Sequence, residues 1–397
     1  MGAVLLSPFY ILLNIYLFFR ISTWFATLSP LLAGYPFIVP FLVCGTLFAL
    51  TPLFGAFGRG RFRTVTKRIS NYWLGILMYA LIFLMIADLG RLIDWLANGR
   101  QAASFRTPVW RIIGAAIIGA TAAVTLYGIC HASCIKTVRY DTVIHKQCSH
   151  PPIRIALVAD LHLGWNAGVR QMQKVCAAIS RMKPDLVVFA GDIFDNEFDS
   201  IERPDEIAAM IRSIRSTYGS YACWGNHDVE ELIFAGFTFK HSKTDNLQMC
   251  RFLEKADIRL LEDETILIDG AFYLSGRLDA SSKEKSGVVR LTPDELTSGL
   301  DHTKPILVID HQPSELRELA DAGVDLALSG HTHDGQLFPG NLTTRIGWMN
   351  SRGKLVLDNM TSIVTSGAGV WGPAMRVGTD SEVVEITVRF EGLRGGR

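Results

Sequence analysis

Two patterns of apolar and polar residues divide this chain. Through the first 130 residues apolar positions run on without a regular polar face, in four stretches. Each approaches the ~20 residues that a helix needs to cross a bilayer. They are Ala3 to Leu28, Phe37 to Phe57, Tyr72 to Leu89 and Ile112 to Ile129. Their short connectors predict an all-α transmembrane domain of four helices rather than buried soluble ones.

From about Pro151 onward, short β-branched runs alternate with amphipathic stretches. IRIALVA (153–159), LVVFA (186–190), SYACW (220–224), ILVID (306–310) and LALS (326–329) read as buried strands. Between the first two, Met172, Val175, Cys176, Ile179 and Met182 fall on one helical face. Pro204 opens a second helix with Ile207, Met210, Ile211 and Ile214 inward, and Pro313 a third that Gly323 can end. The expected division is a membrane domain over 1–130, a juxtamembrane linker over 131–150 and one α/β domain over 151–397. The last is large enough for a full core.

Composition supports the division. The 397 residues are 49% hydrophobic and only 19% charged, with a mean hydropathy of +0.24. Lys and Arg (39) balance Asp and Glu (38), so no nucleic-acid partner is expected. Seven cysteines, an odd number, lie scattered from Cys44 to Cys250, which argues against disulfide staples. The first apolar stretch is too long and too poor in a cleavage signal for a removable leader, so it is expected to be retained.

Charge sets the expected orientation. The segment GRGRFRTVTKRIS carries Arg59, Arg61, Arg63, Lys67 and Arg68, whereas the connector before the second stretch carries no charge. By the positive-inside rule the basic segment is cytoplasmic. With four spans, the N-terminus and everything after residue 130 are then cytoplasmic too, in a bacterial-type plasma membrane. Arg100 and Arg106 fall on the opposite side. Within the stretches, Arg20 is expected to reach toward an interface and Asp88 to lie near a span end, one turn from Arg91.

The stretch LALSGHTHDGQLFP (326–339) puts two histidines one residue apart behind a Ser-Gly turn. Four other strands also end in residues with metal-ligand side chains: Asp160-Leu161-His162, Gly191-Asp192 with Asp195, Gly225-Asn226-His227-Asp228, and His311. Each group alone is weak, since Asp, Asn and Gly favour turns and a lone histidine suits a core. All of them in order, each beyond a strand's carboxyl end, point to one pocket. Carboxylate, imidazole and amide oxygen together suit divalent Mn, Fe or Zn. The donors are too many for one ion. Two ions about 3.5–4 Å apart, bridged by a carboxylate, would use them all and form a clamp for displacement at phosphorus.

Taken together, Asp160-x-His162, Gly191-Asp192-x-x-Asp195, Gly225-Asn226-His227-Asp228, His311 and Gly330-His331-x-His333 resemble the signature of the calcineurin-like metallophosphoesterases. The tail TSGAGVWGPAMRVGTDSEVVEITV is similar to the ending of that family's membrane-associated bacterial branch. The resemblance implies a two-sheet sandwich with helices on both outer faces. It also implies one metal on Asp160, His162 and His333, the other on Asn226, His311 and His331, and Asp192 bridging them. His227 would stabilise the transferring phosphoryl oxygens or protonate the leaving group, with Asp228 orienting it. A hydroxide between the ions would attack in line, with no covalent intermediate.

One position departs from the branch, which commonly has glycine where Asp334 stands. Asp is tolerated in a turn, or the carboxylate tunes His333 or excludes an anionic substrate group. His131, His145, His150, His241 and His302 match no part of the signature. Cys130, His131, Cys134, Cys148 and His150 fit no standard zinc spacing, and Cys130 and Cys134 are candidates for acylation beside the last span. Trp165, Phe194, Phe198 and Trp371 are core or substrate wall. The apolar and basic stretch Glu230 to Thr244, with Phe234, Phe237, Phe239, Lys240, His241 and Lys243, is a cap for an amphiphilic phosphate or a buried loop.

The expectation is therefore a membrane-anchored dimetal phosphoesterase acting on a phosphoester or pyrophosphate, with membrane lipids around its helices and a lipid-linked substrate attractive. Two alternatives stand beside it: the same hydrolase acting on soluble diesters or phosphoproteins, and a membrane sensor with a relic site.

Overall fold

The computed structural model describes the chain apart from residues 1, 52–59, 102–106, 147, 149, 229–230, 235–236, 242–246, 283–286 and 392–397. Side chains are further left undescribed at 2–7, 60, 100, 231–234 and 237–241. Two compact units emerge. One is Met1–Cys130 with Leu232–Lys240 and Gly372–Met375; the other is His131–Glu231 with His241–Trp371 and Arg376–Arg397.

The first unit contains α1 (Gly2–Leu28), α2 (Pro30–Ala33), α3 (Tyr35–Ala49), α4 (Gly60–Asn98) and α5 (Thr107–Ala132). Among the described residues three segments are long and apolar enough to cross a membrane: Pro8–Leu28, Arg61–Asn98 and Thr107–Ala132. The second expected span appears as the 15-residue α3, about 22 Å at 1.5 Å per residue against a ~30 Å hydrocarbon layer. Its expected end, 52–57, and Arg59 of the basic segment lie outside the described residues. Ser29 and Pro30 separate α1 from α2, the Ser29 hydroxyl accepting the Leu31 N–H. α4 runs far beyond Tyr72–Leu89, because hydropathy marks only its apolar middle while the polar flanks also favour helix.

Arg20 and Asp88 do not resolve separately as expected. Arg20 Nη2 donates to Asp88 Oδ1 at 2.7 Å and the Tyr16 hydroxyl to Asp88 Oδ2 at 2.6 Å, while Arg91 stands 3.9 Å away. Charges on spanning helices pair because an isolated one in hydrocarbon is costly.

The second unit holds two six-stranded mixed sheets. The first runs in the order β1 (Ile135–Ile144), β14 (Ser381–Phe390), β2 (Ile153–Val158), β3 (Leu186–Ala190), β4 (Ser220–Cys223), β7 (Ile258–Leu260). The second runs β12 (Gly353–Leu357), β13 (Met360–Val364), β11 (Leu326–Ser329), β10 (Ile306–Ile309), β9 (Phe272–Gly276), β8 (Glu264–Ile268). All five expected strands are present. They read as unbroken apolar runs because both faces are covered. Ile155 and Leu157 of β2 meet Val188, Leu307, Leu328 and Ile363 between the sheets, while Ala156 and Val158 meet α6 (Val169–Met182) outside.

On α6, Met172, Val175, Cys176, Ile179 and Met182 are buried as expected. α7 (Pro204–Arg212) starts at its proline. The third expected helix begins at Leu316, not Pro313, because Glu315 adopts a left-handed conformation and gives its carboxylate to Arg277. Within the stretch read as a linker, β1 pairs in parallel with β14 over ten residues. Its mostly exposed or half-exposed side chains hide it from a hydrophobic reading. A small pair, β5 (Glu231–Phe234) and β6 (Phe237–His241), occupies the Glu230–Thr244 stretch, whose side chains lie outside the described residues.

Candidate metal centre

Parallel pairing of β2, β3 and β4, and of β9, β10, β11 and β13, sends their carboxyl ends the same way within each sheet. The loops that leave these ends are unusually bent. Asp160, His162, Asp192, His331, His333 and Asp334 all have positive φ, between +46° and +72°. Side chains other than glycine rarely adopt this region, and such strain gathers where a site requires it. Two glycines permit the close approach: a Cβ on Gly225 would stand 2.2 Å from Asp192 Oδ1, and one on Gly330 2.4 Å from Asp160 Oδ2.

The bends bring together two donor groups, Asp160, His162 and His333, and Asp192, His311 and His331. In the first, His162 Nε2 and His333 Nε2 lie 3.0 Å apart and His333 Nε2 lies 3.4 Å from Asp160 Oδ1. Backbone N–H of His331 donates to both Asp160 oxygens, at 3.0 and 3.1 Å, fixing that carboxylate. In the second, His311 Nδ1 donates to the Ala190 carbonyl at 2.8 Å, which leaves its Nε2 lone pair facing the pocket. There Nε2 meets Asn226 Oδ1 at 3.1 Å and Asp192 Oδ2 at 3.2 Å, and His331 Nδ1 meets Asn226 Oδ1 at 2.8 Å.

Asp192, a member of the second group, also reaches toward the first. Its Oδ1 accepts the His227 backbone N–H at 2.7 Å, and its Oδ2 stands 3.2 Å from His311 Nε2 and 3.8 Å from His162 Nε2. So many lone-pair atoms crowded in a buried space are a donor set for cations, and the residues present fit two divalent ions.

Electrostatics favours the same conclusion. Burial works against the Asp192 carboxylate, but His311, His227 and His162 hold it well below the usual range. Burial raises Asp160 to about 6, with the charge of Asp192 adding to it. Burial, joined by the charge of His311, lowers His331 to about 4; burial and His162 push His333 well below its ordinary value. Both are thus neutral and ready to donate lone pairs. For His162 and His311 burial is overcome by the neighbouring carboxylates, which raise both. A cation competes with any proton that the carboxylates favour on these two rings, so metal affinity should rise with pH. We predict net proton release on loading and an affinity that gains up to ~tenfold per released proton per pH unit. Calorimetric titration of the chelated protein with Mn²⁺ in buffers of different ionisation enthalpy reads this directly. Uptake without proton release would contradict it.

His227, half-buried, lies beside both groups, its ring 5.2 Å from that of His162. Its Nδ1 is hydrogen-bonded to Asn196 Oδ1, an acceptor only, so Nδ1 carries the proton. Asn196 was not among the residues expected to orient this ring. The Asp228 carboxylate accepts the backbone N–H groups of Phe194, at 2.8 Å, and Gly225, at 2.7 Å, tying together the loops after β3 and β4. Burial, with the nearby charge of Asp192, pushes Asp228 up to about 7. Asp195 Oδ1 stands 3.8 Å from His162 Nδ1, too far for a hydrogen bond.

Trp371, 37% exposed, places its ring 5.7 Å from His227, and Trp348 stacks edge-on 5.3 Å from His331. Phe194 is wholly buried in the core, with Phe198 packed against it. Arg376, fully buried, donates to the carbonyls of His333, Ser366, Gly367 and Gly369. It thereby fastens the His333 loop to the segment after β13. Asp334 occupies a left-handed turn position, φ +47°, which a small polar residue tolerates. Its carboxylate is buried, faces Arg352 at 3.5 Å and Arg345 at 3.8 Å, and makes no hydrogen bond among the described residues.

The unmatched histidines do not join these groups. His131 pairs with Asp380 at 2.8 Å and His150 with Asp269 at 3.2 Å; the side chain of His241 lies outside the described residues. Among the described residues no metal-binding group includes Cys130, Cys134 or Cys148.

Comparison with known proteins agrees with the geometry. Residues 153–335 match the calcineurin-like phosphoesterase family. An uncharacterized metallophosphoesterase of Aquifex aeolicus is 29% identical over 260 residues, 65% of this chain and 93% of that protein. Another, from Helicobacter pylori J99, is 27% identical over 62% of this chain and 62% of its own, so less than two thirds of that relative is spanned. The UDP-2,3-diacylglucosamine pyrophosphatase LpxG of Chlamydia trachomatis is 23% identical over 51% of this chain and 70% of its own.

Proposed function

Given that the chain carries a calcineurin-like metallophosphoesterase domain together with apolar helices of membrane-spanning length, and is a metal-dependent phosphoesterase, we propose that it hydrolyses a phosphoester or pyrophosphate bond of a lipid-linked substrate. In this reading residues 1–130 anchor the chain, 131–150 connect while contributing β1 to the first sheet, and 151–397 form the rest of the hydrolase domain, on the cytoplasmic side. The observation that carries the chemistry is the position of Asp192 between two buried donor groups.

Asp160, His162 and His333 would hold one divalent ion, Asn226, His311 and His331 the other, and Asp192 both. When bound, such a pair supplies a Lewis-acid clamp that acidifies water and offsets charge on the phosphoryl oxygens. The chain's own residues do the rest. His227, its Nδ1 proton fixed by Asn196, would as the imidazolium give its Nε2 proton to the leaving oxygen and be left neutral. Asp228 would hold the backbone beneath it. Trp371 and Trp348 would form an apolar wall that excludes water from the reacting phosphate.

A diacylated nucleotide sugar, the class in the relative LpxG's name, is one concrete candidate for the substrate. The test is turnover by the full chain in lipid vesicles with Mn²⁺, on a nucleoside-diphosphate-linked diacyl amphiphile and on bis(p-nitrophenyl) phosphate. We expect kcat/KM at least ~10²-fold higher on the amphiphile, the apolar chains contributing binding energy that a soluble ester lacks. Equal values would favour a soluble substrate. Hydrolysis of neither, with two ions bound, would favour a sensor.

A further inference from the structure

The helical unit contains a place for a ligand of its own. A cavity of about 460 Å³ lies between α1, α4 and α5, within the range of small-molecule sites. Trp24, Trp73, Leu84 and Leu126 are among its almost wholly apolar walls, and Arg20 and Trp110 also line it.

Arg20 and Trp110 give the cavity polarity along its length. The Arg20 guanidinium sits 4.9 Å from the centre of the Trp110 ring and that of Arg91 sits 4.6 Å from the same ring, with Asp88 paired to both arginines. Arg20 falls late in α1, Asp88 and Arg91 late in α4, and Trp110 at the start of α5, so one end of the three helices is polar. Among the described side chains this end has a small excess of positive charge, Arg20, Arg91 and Arg111 against Asp88 and Asp94.

An empty apolar cavity forfeits dispersion contacts along its whole lining. In a bilayer the available filling is an acyl chain, and a cationic end favours a chain with an anionic head. We propose that this cavity binds one acyl chain of an anionic phospholipid, with the phosphate at the Arg20–Trp110 end. The site stands apart from the reading of the metal centre, because its occupancy is measured without hydrolysis.

Native mass spectrometry of the full chain, released from micelles holding equimolar phosphatidylglycerol and phosphatidylcholine, tests it. One phosphatidylglycerol should be retained per chain, preferred roughly fivefold or more over phosphatidylcholine. Ala122→Trp, which fills the cavity from α5, should lower retention by a similar factor. Arg91→Gln should keep the lipid but lose most of the preference. Equal retention of the two lipids, no retained lipid, or undiminished retention in a folded Ala122→Trp protein would overturn the proposal. Should that variant fail to fold, the competition on the unaltered protein decides alone.

Discussion

Asp192→Asn is expected to lower turnover by ~10³-fold or more, beyond the usual cost of losing one charge-stabilising donor. It should also reduce bound metal from two ions toward one. The substitution keeps size and shape, and an amide oxygen can still accept the His227 N–H that Asp192 Oδ1 accepts at 2.7 Å. What changes is the other atom. Oδ2, 3.2 Å from His311 Nε2 and 3.8 Å from His162 Nε2, then becomes an NH₂ that points protons at a cation. The buried cluster also loses its most acidic carboxylate, the group that His311 and His227 hold ionised. Metal analysis beside steady-state kinetics checks both parts. A variant that keeps two ions and stays within tenfold of the parent's turnover would remove Asp192 from its bridging role.

His227→Gln should separate chemistry from metal binding. We expect kcat to fall by ~10²–10⁴, the range for losing a positioned general acid, with metal content and KM little changed. The ring is not among the metal-binding groups, and its tautomer is set by Asn196. If His227 protonates the leaving oxygen, the loss should be severe for a simple alkyl ester and slight for p-nitrophenyl phosphate, whose leaving group needs no proton. An equal loss on both esters would instead assign the ring to stabilising phosphoryl oxygens.

Much of the site was legible because ligands at strand ends follow two simple patterns, an apolar run and then a polar turn. The residues of Gly330-His331-x-His333 and Asp160-x-His162 converge as their spacing suggests. Three features were not legible. Positive φ at six of these positions is a tertiary property, invisible in residues that mostly avoid it. Asn196 follows Asp195 in an ordinary turn sequence, and only the fold brings its amide to His227. Arg376 lies in a loop without any periodic signal, yet it is completely buried against four carbonyl groups.

In the helical unit, hydropathy located the long apolar helices but not their ends or their polar pairing. α4 continues through its charged flanks, and Arg20 finds Asp88 across 68 residues of chain. The strand β1 was missed for the opposite reason. Its pairing is through backbone to β14, while its side chains alternate too weakly between apolar and polar to declare a strand.

The central claim is that activity requires two ions held across Asp192. Its most direct test titrates the chelated full chain with Mn²⁺, following bound metal and hydrolysis of bis(p-nitrophenyl) phosphate in the same samples. Two ions should bind per chain, with turnover negligible through the first equivalent and rising with the second. Full turnover at one equivalent, or turnover surviving complete chelation, would contradict the account.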